Sequence, residues 1–157
     1  MAVTFFDTSV LLAGILDFGP QSAPAQSIMH AIAEKTVPSP ATAWHCCLEF
    51  FSVATRLPPE FRLTPADGTR LLEEEVFGRL TVYDLPSGDR LQLLHAAAED
   101  GVAGGRIYDA HIAEVARAAG ATVIVTDNRR HFLAALRHGI RVETPVEYMR
   151  TLKPRRS

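Results

Sequence analysis

The segments VTFFD (residues 3–7) and TVIVTD (residues 122–127) decide the fold class that this sequence predicts. Each contains a short apolar run that is rich in β-branched and aromatic residues and is bounded by polar residues. Runs of this length and composition are typical of strands buried in a parallel sheet. Because both runs lead into an aspartate, the sequence places an acid at the end of each predicted strand.

Helical patterns with recognisable start signals fill the rest of the chain. Ser39-Pro40, Thr64-Pro65 and Thr144-Pro145 each resemble an N-cap followed by a first turn. Helices are accordingly predicted at about 9–17, 22–35, 40–56, 64–78, 88–100, 106–119, 129–138 and 145–151. A third strand is predicted at 80–85, with weaker strands near 36–37 and 140–142. Strands that alternate with longer helices predict an α/β fold whose parallel sheet is covered on both faces.

Length and composition predict one globular domain. The chain has 157 residues, of which 47% are hydrophobic and 22% are charged. We place the domain at residues 1–152 and a basic C-terminal tail at 153–157. The formal net charge of −2 argues against a protein that holds nucleic acid by bulk electrostatic attraction, since such domains carry a clear basic excess. Any contact with nucleic acid is therefore expected to be local or to depend on a metal ion.

The cysteines and the N-terminal segment indicate a cytoplasmic protein. Cys46 and Cys47 are adjacent, a spacing that strains a disulfide, so both are predicted to be reduced and buried. The first residues carry no basic leader and reach an acid at Asp7, which does not fit a signal peptide. No apolar run approaches the roughly 18 residues that a membrane span needs. We expect a cytoplasmic location and no membrane partner.

Asp7 and Asp127 are the first candidates for chemistry. In an open α/β sheet, ligands bind beyond the carboxyl ends of the strands, so the two carboxylates are expected to face one crevice. Taken singly, each aspartate is more simply explained as the N-cap of the helix that follows it. The functional interpretation therefore depends on further acids that meet them.

Two more acids lie in helical segments where a carboxylate needs an explanation. Asp109 is in the first turn of a helix with mostly small, apolar neighbours, and Glu49 is flanked by large hydrophobic residues. A buried carboxylate without a partner is costly. If the four acids converge, their repulsion raises some of their pKa values unless a cation lies among them. Oxygen ligands favour magnesium, with manganese as the alternative, whereas zinc prefers histidine or cysteine.

Three segments in order resemble the PIN-domain family, and specifically the VapC toxins of toxin-antitoxin pairs. They are FDTSVLL (6–12), DAHIA (109–113) and TDNRRHF (126–132), and TPVEYM (144–149) is similar to the family's C-terminal segment. The resemblance covers nearly the whole chain. It implies a three-layer α/β/α sandwich with a central, mainly parallel sheet.

The resemblance also implies which residues form the site. The acids implied to be catalytic and to bind the metal ion are Asp7, Glu49, Asp109 and Asp127. The hydroxyls implied to lie near the substrate belong to Thr8, Ser9 and Thr126. The arginines best placed to approach an RNA phosphate are Arg106, Arg129 and Arg130, although surface arginines are more often solvated or weakly paired.

The activity implied is that of a magnesium-dependent endoribonuclease acting as the toxin of a type II toxin-antitoxin system. Water activated by the metal would cleave the phosphodiester bond of a tRNA, rRNA or mRNA and leave a 5′-phosphate and a 3′-hydroxyl. The implied protein partners are a cognate antitoxin and a second copy of the chain. A housekeeping RNA-processing nuclease and a PIN-like module that binds RNA or protein without cutting stay open as alternatives.

Two other magnesium-binding folds fit the sequence less well. A haloacid-dehalogenase-type phosphatase needs a second aspartate two residues after Asp7, where this chain has Ser9. A response-regulator receiver needs an acid pair at the first strand and a late lysine, but no lysine lies between Lys35 and Lys153. His45, four residues before Glu49, is interpreted as a structural residue because the expected ion prefers oxygen.

Overall fold

A computed structural model describes residues 2–152 as seven α-helices and five strands, joined by short 3₁₀ segments and one π-helical turn. The strands are β1 (Val3–Phe6), β2 (Pro40–Ala43), β3 (Thr81–Tyr83), β4 (Ala121–Val125) and β5 (Arg141–Glu143). The predicted tail at 153–157 lies outside the described residues.

The five strands form a single sheet in the order β3-β2-β1-β4-β5. Every neighbouring pair is parallel. β1 lies at the centre, where Thr4 pairs with Pro40 of β2 on one side and with Val123 of β4 on the other. The two segments that predicted the fold are therefore neighbours, and the residues that follow them lie at the same edge of the sheet.

Seven α-helices lie between and after the strands. They are α1 (Thr8–Ile15), α2 (Ala23–Ala33), α3 (Trp44–Ala54), α4 (Pro65–Leu71), α5 (Arg90–Glu99), α6 (Arg106–Ala118) and α7 (Pro145–Leu152). α2 packs against α1 and α7, whereas α6 packs against α5 and the 3₁₀ helix Arg129–His138. The predicted α/β/α sandwich with a parallel central sheet is confirmed.

The core lies along the central strands. The side chains of Phe5, Phe6 and Ile124 are fully buried. α1 approaches α2 closely because Gly14 has no side chain: a Cβ there would lie 2.9 Å from the carbonyl oxygen of Ala25. This packing fixes the C-terminal half of α1 against α2.

Both cysteines are free and buried, as predicted. Burial raises the pKa of the Cys46 thiol to about 12 and that of Cys47 to about 11. At neutral pH both are uncharged thiols, so they pack as small hydrophobic side chains and are poor metal ligands.

One predicted helix start is wrong. Ser39-Pro40 does not begin a helix: Pro40 is the first residue of strand β2, and the helix begins four residues later at Trp44. Proline fits the first position of a strand as well as the first turn of a helix, so the dipeptide does not distinguish them. The carbonyl of Ser39 accepts a bond from the Thr4 amide, which fixes β2 beside β1. The weak strand predicted near 36–37 is accordingly displaced to 40–43.

The other two start signals are confirmed by their capping bonds. The Thr64 hydroxyl accepts a hydrogen bond from the Asp67 amide at 3.1 Å. At α7, the Thr144 amide donates to Glu147 at 2.9 Å while the Glu147 amide donates to the Thr144 hydroxyl at 3.2 Å, a reciprocal capping box. The segment 129–138 is helical as predicted, but it is a 3₁₀ helix rather than an α-helix. Within residues 2–152, no helix has both the length and the apolar character needed to cross a membrane.

Candidate metal centre

Asp7 is the buried centre of the site. It follows β1 directly and occupies the N-cap position of α1, but its side chain makes no capping hydrogen bond with that helix. Only 4% of the residue is exposed. Its Oδ2 accepts hydrogen bonds from the hydroxyls of Thr126 at 2.8 Å and Ser9 at 2.9 Å. Burial raises the pKa of Asp7, and the two hydroxyls oppose that rise only in part.

Glu49 reaches the same place from α3. The Thr8 hydroxyl donates to Glu49 Oε1 at 2.7 Å, which supplies the partner that a carboxylate among hydrophobic neighbours requires. The negative charge of Glu49 also helps to raise the pKa of Asp7, so the two acids interact across the start of α1. Glu49 is partly open to solvent, since 41% of its side chain is exposed.

Asp109 joins these acids from the first turn of α6. Partial burial raises its pKa most, and the charge of Glu49 raises it further. His131 opposes this shift, with its Nδ1 lying 3.1 Å from Asp109 Oδ2. Asp109 is therefore held between another carboxylate and an imidazole.

Asp127 is placed differently from the other three acids. Asp127 is exposed. Its pKa is raised by partial desolvation, and within residues 2–152 no charged group or hydrogen bond contributes to that rise. Its backbone amide donates to the Ser9 hydroxyl at 3.1 Å, and the next amide, that of Asn128, donates to the Thr126 hydroxyl at 2.9 Å. The loop after β4 is thus tied to the Asp7 site through two hydroxyls, with the Asp127 carboxylate at its rim.

The predicted acids differ in how closely the structure brings them together. Asp7, Glu49 and Asp109 are coupled through their charges, and Asp127 joins them through the backbone of its loop. Among residues 2–152, no three acids, histidines or cysteines converge tightly enough to hold a metal ion without other ligands. The predicted tight convergence of all four carboxylates is therefore too strong a description.

The donor set nevertheless fits magnesium. Mg²⁺ keeps several water ligands and takes only one or two carboxylates from a protein, so it does not require a closed cage of side chains. The available donors are oxygens of carboxylates and hydroxyls, and the cysteines nearby are protonated. A cation near Asp7 would also remove the unfavourable interaction between its buried charge and that of Glu49.

Two histidines, His45 and His131, contact acids of this set, and His111 contacts His45. Sequence reasoning assigned none of the three to the site. His45 Nδ1 lies 2.9 Å from His111 Nδ1, and His45 Nε2 lies 3.8 Å from Glu49 Oε1. His131 contacts Asp109, as described above. The four-residue spacing of His45 and Glu49 was a readable signal, whereas the contact of His131 depends on how the 3₁₀ helix packs on α6.

The arginines predicted to bind substrate differ in the acidic groups with which they already interact. Arg129 forms an ion pair with Glu147, 3.4 Å apart, in addition to the bonds that Glu147 makes as a helix cap. Arg106 lowers the pKa of Asp109 through its charge. A cavity of about 220 Å³ lies beside Asp127, and the side chains of Arg129 and Arg130 line it together with His131.

A comparison with protein families shows which family this chain belongs to. The family model described as "PIN domain" matches residues 3–130, which include all four acids. The chain belongs to the PIN-domain family. The predicted resemblance is thereby confirmed.

This PIN domain is similar to curated relatives and to a solved structure. Ribonuclease VapC40 of Mycobacterium tuberculosis is 32% identical over 127 residues, which cover 78% of this chain and 85% of the relative. Ribonuclease VapC27 of the same organism is 36% identical over 89 residues, covering 57% of this chain and 63% of the relative. A structure of DNA-bound VapBC from Salmonella typhimurium matches with a TM-score of 0.64 and 24% identity, covering 92% of this chain and 99% of that one.

Proposed function

We propose that this PIN domain is a magnesium-dependent endoribonuclease that acts as the toxin of a type II toxin-antitoxin system. The observation that carries the proposal is the burial of Asp7 near Glu49, whose charge also acts on Asp109, an arrangement that is unfavourable without a cation. Relatives named ribonucleases support nuclease chemistry. RNA is the proposed substrate, and the proposed reaction is hydrolysis of its phosphodiester bond.

Asp7 and Asp109 are the proposed principal ligands, with Glu49 and Asp127 completing one or two ion sites. When bound, Mg²⁺, or Mn²⁺ in its place, would stabilise charge on the scissile phosphate and lower the pKa of water, which would then lose a proton more readily and become a better nucleophile. The hydroxyls of Thr126 and Ser9 hold the Asp7 carboxylate in one orientation. Outer-shell bonds of this kind orient metal ligands in many enzymes.

The remaining residues of the site act on the substrate side. Four acids repel the RNA backbone, so nearby cations are needed to offset that repulsion. Arg106 is well suited because it already interacts with Asp109 through its charge. Arg129 is held by Glu147, and binding to a phosphate requires it to leave that carboxylate. Thr8 positions Glu49 rather than contacting RNA.

A toxin function implies particular partners and a cellular location. We propose a cognate antitoxin, a homodimeric toxin and action in the cytoplasm. Support for the antitoxin comes from the likeness of the fold to a DNA-bound VapBC and from relatives that carry the VapC name. Co-expression with the product of a neighbouring small gene tests the antitoxin directly, because a cognate partner should co-purify and suppress cleavage.

A cleavage assay on total cellular RNA tests the nuclease itself. The wild type with Mg²⁺ should generate discrete fragments with 5′-phosphate ends, and chelation with EDTA should abolish them. Asp7→Asn should be inactive, whereas Asp17→Asn, which changes an exposed acid outside the cluster, should cut normally. If neither the wild type nor Asp7→Asn cuts any RNA, the non-cleaving binding module replaces this proposal.

A further inference from the structure

A groove of about 700 Å³ opens beside Asp109, between α5, α6 and the 3₁₀ helix Arg129–His138. Its size is typical of a pocket that holds a small molecule or part of a polymer. Six of its lining residues are alanines, contributed by all three elements: Ala96, Ala97, Ala110, Ala113, Ala134 and Ala135. We call this cavity the alanine groove. The small side chains leave space above an apolar floor, which suits a flat ring better than a bulky group.

The alanine groove is continuous with the acidic site. Asp109 and His131, which contact each other at 3.1 Å, both line it at this end. RNA is a polymer, so the nucleotides next to a phosphate held at Asp109 must leave the site along some surface of the protein. The alanine groove begins where that phosphate would lie.

The charges around the groove favour a polyanion. Four arginines line it, and two are neutralised within the fold: Arg117 by Glu114 at 2.7 Å and Arg137 by Asp100 at 3.2 Å. Among residues 2–152, Arg106 and Arg130 form no ion pair, and both line the groove together with Asp109. Two unpaired guanidinium groups beside a metal site are suited to phosphates that flank the one being cut.

From these observations we infer that the alanine groove binds the nucleotide adjacent to the scissile phosphate, with its base on the alanine floor and its phosphate at Arg106 and Arg130. This inference rests on the proposed nuclease function. It assigns recognition of the neighbouring nucleotide to a region outside the four acids. Gln92, which also lines the groove, supplies an amide able to bond to the edge of a base.

Two alanines of α5 allow a matched test. Ala96 lines the groove, whereas Ala98, two residues further along the same helix, does not; both are exposed. Ala96→Glu introduces bulk and negative charge into the groove, and Ala98→Glu introduces the same change outside it. Helix propensity and net charge change equally in the two variants, so a difference between them reports on the groove.

The first measurement is binding of a fluorescein-labelled 12-nucleotide single-stranded RNA of mixed sequence. All protein variants in this measurement also carry Asp7→Asn, so that the probe is not cut. Ala96→Glu should weaken binding about tenfold or more, and Ala98→Glu should leave it within about twofold. Arg130→Ala should reduce the slope of log affinity against log salt by about 0.7, the loss of one phosphate contact on a single strand.

The second measurement is hydrolysis of bis(p-nitrophenyl) phosphate with Mg²⁺ and Asp7 intact. This small diester tests the acids and the metal ion without RNA, and Ala98→Glu, which lies outside the groove, should hydrolyse it at the wild-type rate. If the wild type binds RNA in an Ala96-dependent way but hydrolyses neither substrate, the nuclease function fails, and the groove is an RNA-binding surface without the assigned place beside a scissile phosphate.

Two outcomes overturn the groove assignment. In the first, the wild type cuts RNA and the Ala96 and Ala98 variants bind the probe equally. In the second, Ala96→Glu leaves RNA binding intact but changes the mass measured by light scattering, which would make the groove an interface with a second copy.

Discussion

The two sides of the acidic site differ in how firmly they are packed. On the sheet side, Phe5, Phe6 and Ile124 are completely buried, and Asp7 is fixed by hydroxyls from two elements. On the groove side, Leu133 of the 3₁₀ helix, which lines the groove, is 49% exposed, and Leu91 of α5, which does not line it, is 65% exposed. The sheet side holds groups in place, and the groove side leaves apolar surface open.

This difference separates two tasks. A metal ligand must keep its position and orientation, which close packing and fixed hydrogen bonds provide, so the proposed ligand Asp7 lies on the packed side. Contacts with a variable partner need accessible surface and tolerate small shifts, which the groove side provides. Chemistry and recognition should therefore respond to mutation in different ways.

The largest effect should come from replacing, one at a time, the acid at the buried centre of the site and the acid at its exposed rim. Asp7→Asn removes the proposed buried metal ligand and should reduce RNA cleavage by more than about 100-fold, beyond the loss typical for outer-shell residues. Asp127→Asn changes an exposed carboxylate at the rim and should cost about tenfold or less. Initial rates with Mg²⁺ measure both. Equal losses would mean that depth does not rank the acids.

Magnesium should stabilise the packed side in a pH-dependent way. Burial raises the pKa of Asp7 above 3.8, so the folded state favours the protonated acid and loses stability as the pH rises through that pKa. Without metal, the free energy of unfolding of the wild type should fall relative to Asp7→Asn as the pH rises above about 4. Mg²⁺ at 100 times its Kd should add about 2.7 kcal/mol to the wild type.

Urea denaturation at several pH values, with and without Mg²⁺, measures this linkage. Asp7→Asn should gain much less from Mg²⁺ than the wild type does. A metal-free wild type that becomes more stable relative to Asp7→Asn as the pH rises would show that the Asp7 pKa is not raised.

The hydroxyls around Asp7 should have unequal importance. Thr126→Val keeps the shape of a fully buried side chain but leaves the Asp7 carboxylate and the Asn128 amide without their partner, which should cost about 1–3 kcal/mol. Ser9→Ala should cost less, because water can reach the half-buried Ser9 position. Thermal unfolding compares the two variants, and a larger loss for Ser9→Ala would reverse this ranking.

The smallest effect should come from the exposed apolar residues of the groove side. Leu91→Ala should change the free energy of unfolding by less than about 0.5 kcal/mol, as is usual for exposed positions. Ile124→Val, which removes one methyl group from a buried strand, should cost about 0.5–1.5 kcal/mol. A larger loss for Leu91→Ala in the isolated chain would show that α5 is buried in solution, for instance against a second copy.

The sequence predicted the packed side better than the groove side. β1 and β4 were readable because their side chains are buried on a sheet interior and consist of β-branched and aromatic residues. β2 was missed because its sequence, PATA, carries almost no apolar signal and is placed by pairing with β1. The helical type of residues 129–138 also depends on tertiary packing, which local patterns do not encode.

The candidate site was predictable in its acids and not in their surroundings. Asp7 and Asp127 were found because each follows a buried strand, and Glu49 because a carboxylate among hydrophobic residues needs a partner. That the partner is Thr8, 41 positions away, follows only from the fold. The histidine contacts and the alanine groove arise where separate helices meet, and alanines in a helix carry no signal of a cavity.

The central position of β1 has a consequence for the synthesis of this protein. Thr4 pairs with Val123, so β1 cannot complete its pairing before β4 has been synthesised, and the Thr126 hydroxyl reaches Asp7 across 119 positions. Such distant pairings form late in folding. A nascent chain from which β4 has not yet emerged therefore cannot complete the Asp7 site.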